Sequence, residues 1–357
     1  MINKIIEEIN KADTIMVAGH VMPDGDDISS VSSLVYGLTK YGKKTVGIID
    51  DEIPEYLEEF KFVKKYIRDY ECAKQNPSDL IIIVDASSPD RVGRVQELFD
   101  YRRVVVVDHH ATNTKFGHIN WVDSNYASTA QMVKEILEGL EVKYDSELST
   151  MNLTGIATDT GFFRYSNTDE KVFRDAADLI EKGAELSKIT NSVLENKPIE
   201  NMLLLKDVVD ELEFYNENQI AISHVTMDMI EKYGILPKNI PPFVGDLRSL
   251  KGVEVAVMFN EHEKGIFHVS MRSKEWFDVS KIAFEMGGGG HPRAAGFSSD
   301  KPLEELKNIT VSKIKGNLLS NDLYFFVFYL DDTNRGFFRF LNNHRYIFCY
   351  NIQFYNW

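Results

Sequence analysis

Residues 80–85 read LIIIVD, and residues 104–110 read VVVVDHH. Each is an unbroken, largely β-branched apolar run that stops on a carboxylate. Runs with no polar alternation are the pattern of parallel strands buried on both faces. Working outward, Thr14–Ala18 (TIMVA) and Thr45–Ile49 (TVGII) repeat it. Between these two, Asp27–Tyr41 carries Val31, Leu34, Val35 and Leu38 at helical spacing, with Asp27 or Ser29 as the expected cap. Further helices are expected over residues 127–140 and 148–159, and nearly continuous helix over 169–215. Strands alternating with helices predict an α/β fold with a doubly wound, mainly parallel sheet.

The pattern changes near residue 217. Gln219–Val225, Val253–Phe259 and Phe267–Arg272 read as strands of a second, smaller α/β domain with a mixed sheet. The predicted organisation is residues 1–190, a helical linker over 191–216, a second domain over 217–316, and a cleft between the two domains. A length of 357 residues agrees with two domains. Residues 317–357 stand apart, with 14 aromatics among 41 residues against 11% for the chain. An extra packed element, an exposed interaction tail and a reading-frame artefact are the three readings of that segment, and no function is attached to it. No internal repeat of 20–50 residues is present.

Forty basic and 55 acidic residues give a formal net charge of −15. That argues against a grip on long duplex DNA by charge alone, but not against a small anionic substrate held by metal ions. Cys72 and Cys349 are the only cysteines, so neither a disulfide framework nor a four-cysteine zinc site is available. No signal core and no run of ~18 apolar residues occurs. The expected location is the cytoplasm.

The chemistry lies just after the predicted strands. TIMVAGH ends on His20 and is followed by Asp24 and Asp26; LIIIVD ends on Asp85; VVVVD ends on Asp108, with His109 and His110 next. Asp159 lies in GIATDTGFF, at the end of a helical run. In open α/β sheets, ligands bind at the carboxyl ends of the strands. His20, Asp24, Asp26, Asp85, His109 and Asp159 therefore form the candidate metal set. So many carboxylates in one cleft repel one another unless cations neutralise them. Oxygen and imidazole donors without thiolate suit manganese first, with magnesium, cobalt or iron as alternatives. Six donors exceed the needs of one ion. Two ions sharing a carboxylate would lower the pKa of a bridging water and clamp the oxygens of a phosphoryl transfer.

A second cluster is Gly287-Gly288-Gly289-Gly290-His291-Pro292-Arg293. Glycines let a phosphate approach backbone N–H groups, and His291 and Arg293 add charge-assisted donors. Arg272 ends a predicted strand just upstream. Phe163 and Tyr165 are either base-stacking platforms or, more simply, core residues.

Taken in order, GHVMPDGDD, IIIVDASSPDRVG, VVVDHHATN, GIATDTGFFRYSNT and GGGGHPRAAGF resemble the DHH phosphoesterase family with its DHH-associated C-terminal domain, over residues 1 to about 316. The compact bacterial branch active on very short RNA and on 3′-phosphoadenosine 5′-phosphate (pAp) is the most similar. The resemblance implies one metal on His20, Asp24 and Asp85, and another on Asp26, Asp85, His109 and Asp159, with Asp85 as bridge. It implies that Asp108 orients the site, that His110 faces the scissile phosphate and that Asn113 helps to bind phosphate. Arg272 and the glycine motif, Gly288, Gly289, Gly290 and His291, are expected to hold the distal nucleotide. One departure is Asp27, where the family has a small residue.

The implied activity is that of a manganese-dependent hydrolase. It would cut short single-stranded oligoribonucleotides to mononucleotides and pAp to AMP and phosphate, through attack of a metal-activated hydroxide. No membrane partner is expected, and a homodimer fits. The rivals are a phosphodiesterase of cyclic or linear dinucleotides and, from another class, an inactive nucleotide-binding regulator. Loss of one donor would mark the latter, and none is missing.

Overall fold

The computed structural model describes residues 1–322 and, beyond them, the backbone of four short strands: Phe326–Leu330, Gly336–Asn342, Arg345–Ile347 and Asn351–Ile352. Side chains from residue 319 onward and that of Tyr101 are not described. The nature of the aromatic segment over 317–357 therefore lies outside the described residues.

The first sheet has six strands: β1 (Thr14–Ala18), β2 (Lys44–Ile48), β3 (Ile67–Arg68), β4 (Leu80–Val84), β5 (Arg103–Asp108) and β6 (Ile119–Val122). Their order is β3-β2-β1-β4-β5-β6, and every pairing is parallel. Strand order thus reverses between β1 and β4, which pair from Ile15 opposite Leu80 to Ala18 opposite Ile83. Alternate residues face opposite layers. Ile15, Val17, Ile82, Val84, Val105 and Val107 pack on one side with α1 (Ile2–Lys11), α2 (Gly25–Lys40), α3 (Thr129–Gly139) and α4 (Ser146–Asp159). Met16, Ala18, Ile81, Ile83, Val104 and Val106 pack on the other with Tyr70, Val92 and Val95. Both faces are covered, which is why these strands carry no polar alternation.

Two expectations need correction. Helix α2 starts at Gly25, and its cap is Asp24, whose Oδ1 accepts from the N–H groups of Asp26 (3.0 Å) and Asp27 (3.1 Å). Asp27 and Ser29 are buried inside the helix. The stretch 169–215 is not one helix. It holds α5 (Glu170–Glu181), two short turns, α6 (Ile199–Asp210) and the strand β7 (Glu213–Tyr215). Gly183, at φ +97°, ends α5, and Pro198 opens α6.

The second sheet adds β8 (Ile220–Val225), β9 (Val255–Glu263), β10 (Ile266–Ser273), β11 (Gly289–His291) and β12 (Ala294–Ser299). Its order is β11-β12-β10-β9-β8-β7, mixed as expected, since β8 and β9 alone run parallel. Val257, Val269 and Met271 face α8 (Val279–Glu285) and α9 (Leu303–Asp322). Ala221, Ala256 and Met258 face α6 and α7 (Val244–Ser249). Leu204 and Val208 of α6 are fully buried in this second core.

Candidate active site

The carboxyl ends of β1, β4 and β5 deliver the predicted donors to one place. His20 Nε2 lies 3.6 Å from Asp85 Oδ2 and 4.0 Å from Asp24 Oδ1. His109 Nε2 lies 3.4 Å from Asp85 Oδ1, 3.5 Å from Asp159 Oδ2 and 3.8 Å from Asp26 Oδ2. The six residues thus form two triads, His20/Asp24/Asp85 and Asp26/His109/Asp159, each with its donor atoms within 4.8 Å of one another. The two oxygens of Asp85 divide between them. Asp85 also takes a left-handed backbone, φ 57°, which is uncommon for a residue with a side chain and marks a constrained position.

Neighbouring elements fix these carboxylates. The first turn of α3 points at Asp26: the N–H of Thr129 donates to Oδ2 at 2.6 Å and that of Ala130 to Oδ1 at 2.9 Å. A helix N-terminus is suited to a carboxylate, because its N–H groups lack intrahelical partners. The Thr129 hydroxyl donates to Asp85 Oδ1 at 2.9 Å. Sequence reasoning missed Thr129. The signal was Ser128, which caps α3 by accepting from the N–H of Gln131, six residues after the end of β6. It missed Arg91 as well, whose guanidinium lies 3.1 Å from His20 Nδ1. That ring nitrogen also contacts the Val21 carbonyl at 2.8 Å, so a proton on Nδ1 leaves Nε2 facing the triad.

Asp27 is fully buried behind His20 and accepts its backbone N–H at 3.0 Å. Its Oδ2 is buried without a hydrogen-bond partner. A Cβ on Gly19 would fall 1.8 Å from Asp27 Oδ1, so the glycine makes room for this unusual aspartate.

Charge accumulates here without compensation. Burial raises Asp26 well above the ordinary carboxylate range, and the carboxylates of Asp85 and Asp159 add to it. Burial, then Asp24 and Asp85, push Asp159 up to about 6 against the opposing pull of His109. Burial likewise opposes the charge on Asp85, but hydrogen bonds from His109 and His20 hold it well below its usual value. Burial opposes the charge on His20 too, yet Asp27, Asp85 and Asp24 push it up to about 10. In the metal-free chain, protons thus sit where a cation would otherwise balance the carboxylates. Four carboxylates and two imidazoles, most of them buried, are a fitting donor set for hard or borderline divalent cations.

Asp108 lies outside both triads. Its Oδ1 is 2.7 Å from His110 Nδ1, and its Oδ2 accepts from Asn113 Nδ2 at 2.6 Å. His110 Nε2 is thereby left for an incoming group. Burial works against charge on His110, but Asp108 outweighs it and raises the pKa. The amide of Asn113, expected on phosphate, also donates to the Ala86 carbonyl, and its oxygen accepts from the Lys115 N–H. Both amide hydrogens are engaged, so Asn113 braces Asp108.

The second sheet faces this cluster. The ring of His291 lies 4.4 Å from that of His110 and 4.6 Å from that of His109, beside the predicted donors. Its Nε2 is buried with no partner, and burial followed by the two neighbouring histidines holds it neutral. Gly289 and Gly290 pair with Gly296 and Ala295 in the hairpin that carries His291. A Cβ on Gly288 would meet the Gly296 carbonyl at 2.1 Å. The glycines thus allow backbones to close together beside the site. Arg293 turns away and donates to the Phe277 carbonyl at 2.5 Å, so it braces the second domain. Arg272 stays in the cleft, where Tyr165, Asp159 and Asp24 favour its charge against burial. Phe163 packs on the first core and stacks on Phe173, whereas Tyr165 joins neither core.

Residues 14–156 match the DHH family, N-terminal domain, and residues 217–316 match the DHHA1 domain. The chain is 35% identical over 296 residues to the bifunctional oligoribonuclease and PAP phosphatase NrnA of Thermus thermophilus, covering 82% of this chain and 87% of that one. It is 28% identical to the Bacillus subtilis protein of the same name, covering 87% and 98%. An exopolyphosphatase-related protein from Bacteroides fragilis has the same fold, with a TM-score of 0.80 at 22% identity, covering 90% of this chain and 97% of that one.

Proposed function

Because this chain belongs to the DHH family and carries a DHHA1 domain, we propose that it hydrolyses short oligoribonucleotides to mononucleotides and removes phosphate from pAp to leave AMP. The observation that carries this reading is Asp85, at the switch point of the sheet, with one oxygen 3.6 Å from His20 and the other 3.4 Å from His109. A carboxylate divided in this way fits a pair of divalent cations.

In this reading residues 1–190 supply the metal side, 191–216 the connection and 217–316 the substrate-holding face. His20, Asp24 and Asp85 hold one cation; Asp26, Asp85, His109 and Asp159 hold the other. Manganese is the first choice, with magnesium, cobalt and iron as alternatives. When bound, such a pair supplies a nucleophilic water and neutralises charge on the phosphoryl group. Asp108 holds the Nδ1 proton of His110 and aims Nε2 at the phosphate. His291, neutral and with an orphaned Nε2, meets a phosphate oxygen from the opposite wall. Arg272 attracts the substrate's negative charge in a cleft otherwise rich in carboxylates. A cleft between two small domains suits a few nucleotides better than a long duplex, and few phosphates need few cations.

No described helix is long and apolar enough to cross a membrane. We take the cytoplasm as the place of action and a homodimer as a compatible assembly.

The test is a rate comparison after chelation and addition of single metals, on pAp, a dinucleotide, a five-mer and a cyclic dinucleotide, with Asp85→Ala as control. Turnover of the first three in wild type and its loss in the variant are expected. Turnover of the cyclic substrate alone would move the assignment to a cyclic-dinucleotide phosphodiesterase. Equal inactivity of both proteins with every metal would overturn the enzyme reading.

A further inference from the structure

The stretch from Tyr126 to Ala130 reaches every donor of one predicted cation. The Tyr126 carbonyl lies 3.3 Å from His109 Nδ1. The N–H groups of Thr129 and Ala130 donate to Asp26, and the Thr129 hydroxyl donates to Asp85. Asn167 Nδ2 ties the Ala127 carbonyl, at 3.2 Å, to the Asp159 carbonyl, at 3.1 Å. The two donors that belong to the other cation alone are held from elsewhere. His20 rests on Asp27, Val21 and Arg91. Asp24, with its side chain 55% exposed, rests on N–H groups of its own helix.

Gln131, only 1% exposed, gives this stretch its shape. Its Oε1 accepts the N–H of Ala127 at 2.9 Å, while its own N–H donates to Ser128 Oγ at 3.3 Å. This is a capping box drawn back by one residue, since the usual partner of the third helical side chain is the N–H of the cap itself. Ala127 is buried, so its N–H would be costly to leave alone. The other end of the amide donates to Asp175 Oδ2, on α5, at 2.7 Å. Asp175 also pairs with Lys171 at 2.9 Å and with Lys134 at 3.4 Å. A glutamate would serve a capping box equally well, but here it would set a second carboxylate against Asp175. The amide both closes the turn and fastens it to α5. From the other side α4 comes close at Gly155, where an added Cβ would fall 2.6 Å from the Ala130 Cβ and 2.7 Å from Asp26 Oδ1. The turn is wedged between two helices.

We propose that Gln131 is a positioning residue for the cation of Asp26, His109 and Asp159. It acts through the turn, without touching metal or substrate. A shift of the turn moves the N–H pair away from Asp26, the hydroxyl away from Asp85 and the carbonyl away from His109 together, while His20 and Asp24 keep their own supports. Partners of this kind fix the orientation of metal ligands and so set affinity. A capping residue with no further role would cost helix stability and leave the relative affinities of the two cations as they were. The inference rests on the proposed function for the pair of cations, and the hydrogen bonds are independent of it.

The experiment titrates the metal-free protein with manganese and follows the free ion by electron spin resonance. Wild type, Gln131→Ala, Gln131→Glu and the double variant Gln131→Glu/Asp175→Asn are compared. The expected result is that one of two manganese equivalents weakens by about tenfold or more in both single variants, while the other keeps its wild-type affinity. The double variant exchanges the donor and acceptor ends of the bond between α3 and α5 and should recover part of the loss. Affinities that fall together, or not at all, overturn the proposal. A double variant no better than Gln131→Glu overturns it too, because the tie to α5 then has no part in the effect. Wild type that binds a single manganese would refute the pair of cations; the positioning role then stands if that ion weakens in Gln131→Ala and falls if it does not. Should Gln131→Ala fail to fold, Gln131→Met, which keeps the stem, is read in the same titration.

Discussion

Asp27 Oδ1 accepts the backbone N–H of His20 at 3.0 Å, while its Oδ2 sits buried with no partner. Burial, with help from Asp85 and Asp24, pushes this carboxyl up to about 8. A folded-state pKa above the unfolded value means that the folded chain binds the extra proton. The contribution to stability is therefore complete below about pH 4 and is lost as pH rises through about 8. Asp27→Asn keeps the acceptor and removes the titration. Metal-free Asp27→Asn should gain on wild type in denaturant stability as pH rises from about 4, by about 1 kcal/mol per pH unit, and the gap should level off above about pH 8. Parallel curves for the two proteins across that range would refute this.

Metal uptake should release protons. In the metal-free chain His20 is pushed up to about 10, burial being outweighed by Asp27, Asp85 and Asp24, and His109 is raised well above its ordinary value. Both imidazoles therefore carry a proton at neutral pH and must give it up to become ligands. Calorimetric titration with manganese at pH 7, in buffers of different ionisation enthalpy, should show at least about one proton released per protein. Apparent affinity should rise with pH between 6 and 8. A binding enthalpy indifferent to the buffer would contradict the protonation pattern.

The division between what was legible in the sequence and what was not has a physical cause. His20, Asp24, Asp26, Asp85 and His109 were legible because each follows a strand within a few residues, and parallel strands deliver their ends to one edge. The helix cap was misread because Asp24 and Asp27 are both good caps, and only burial separates them. Thr129 and Arg91 were not legible as neighbours of the donor set. Thr129 meets Asp85, 44 residues away, and Arg91 meets His20, 71 residues away. Asn113 and Arg293 make hydrogen bonds to the scaffold, which the sequence did not announce, because a polar side chain in a motif can serve the scaffold as readily as a ligand.

Asn113 offers a test of that distinction. Its amide donates to Asp108 and to Ala86, and it does not face the cleft with a free hydrogen. Asn113→Ala should leave KM for pAp near the wild-type value and lower kcat by about ten- to a hundredfold, the usual cost of removing a partner of a group that orients the reacting centre. A rise in KM with kcat preserved would instead place the amide on the substrate.

Thr129 tests the bracing of the bridging carboxylate. Thr129→Val keeps the shape and the backbone N–H to Asp26 but deletes the hydroxyl that donates to Asp85 at 2.9 Å. Ser128 still caps the helix, so the fold should survive. Metal affinity should fall by about tenfold or more, measured by titration with manganese and a competing chelator. Unchanged affinity would mean that Asp85 is held by its strained backbone alone.

His291 decides whether the glycine hairpin serves the reacting phosphate or only the rest of the substrate. Its ring stacks on His110 at 4.4 Å, and its Nε2 has no partner among the described residues. A group at the reacting centre contributes more to the transition state than to ground-state binding, so its removal lowers kcat. A group on a distal nucleotide contributes to both states alike and raises KM. His291→Ala should therefore lower kcat by about a hundredfold on pAp and on a dinucleotide alike, as the loss of one oriented donor to developing charge does. His291→Gln, which keeps an amide donor near the same place, should recover part of that loss. If the variant instead raises KM more for the dinucleotide than for pAp, with kcat intact, the hairpin belongs to the distal nucleotide, and the imidazole stack seen here is not its working position.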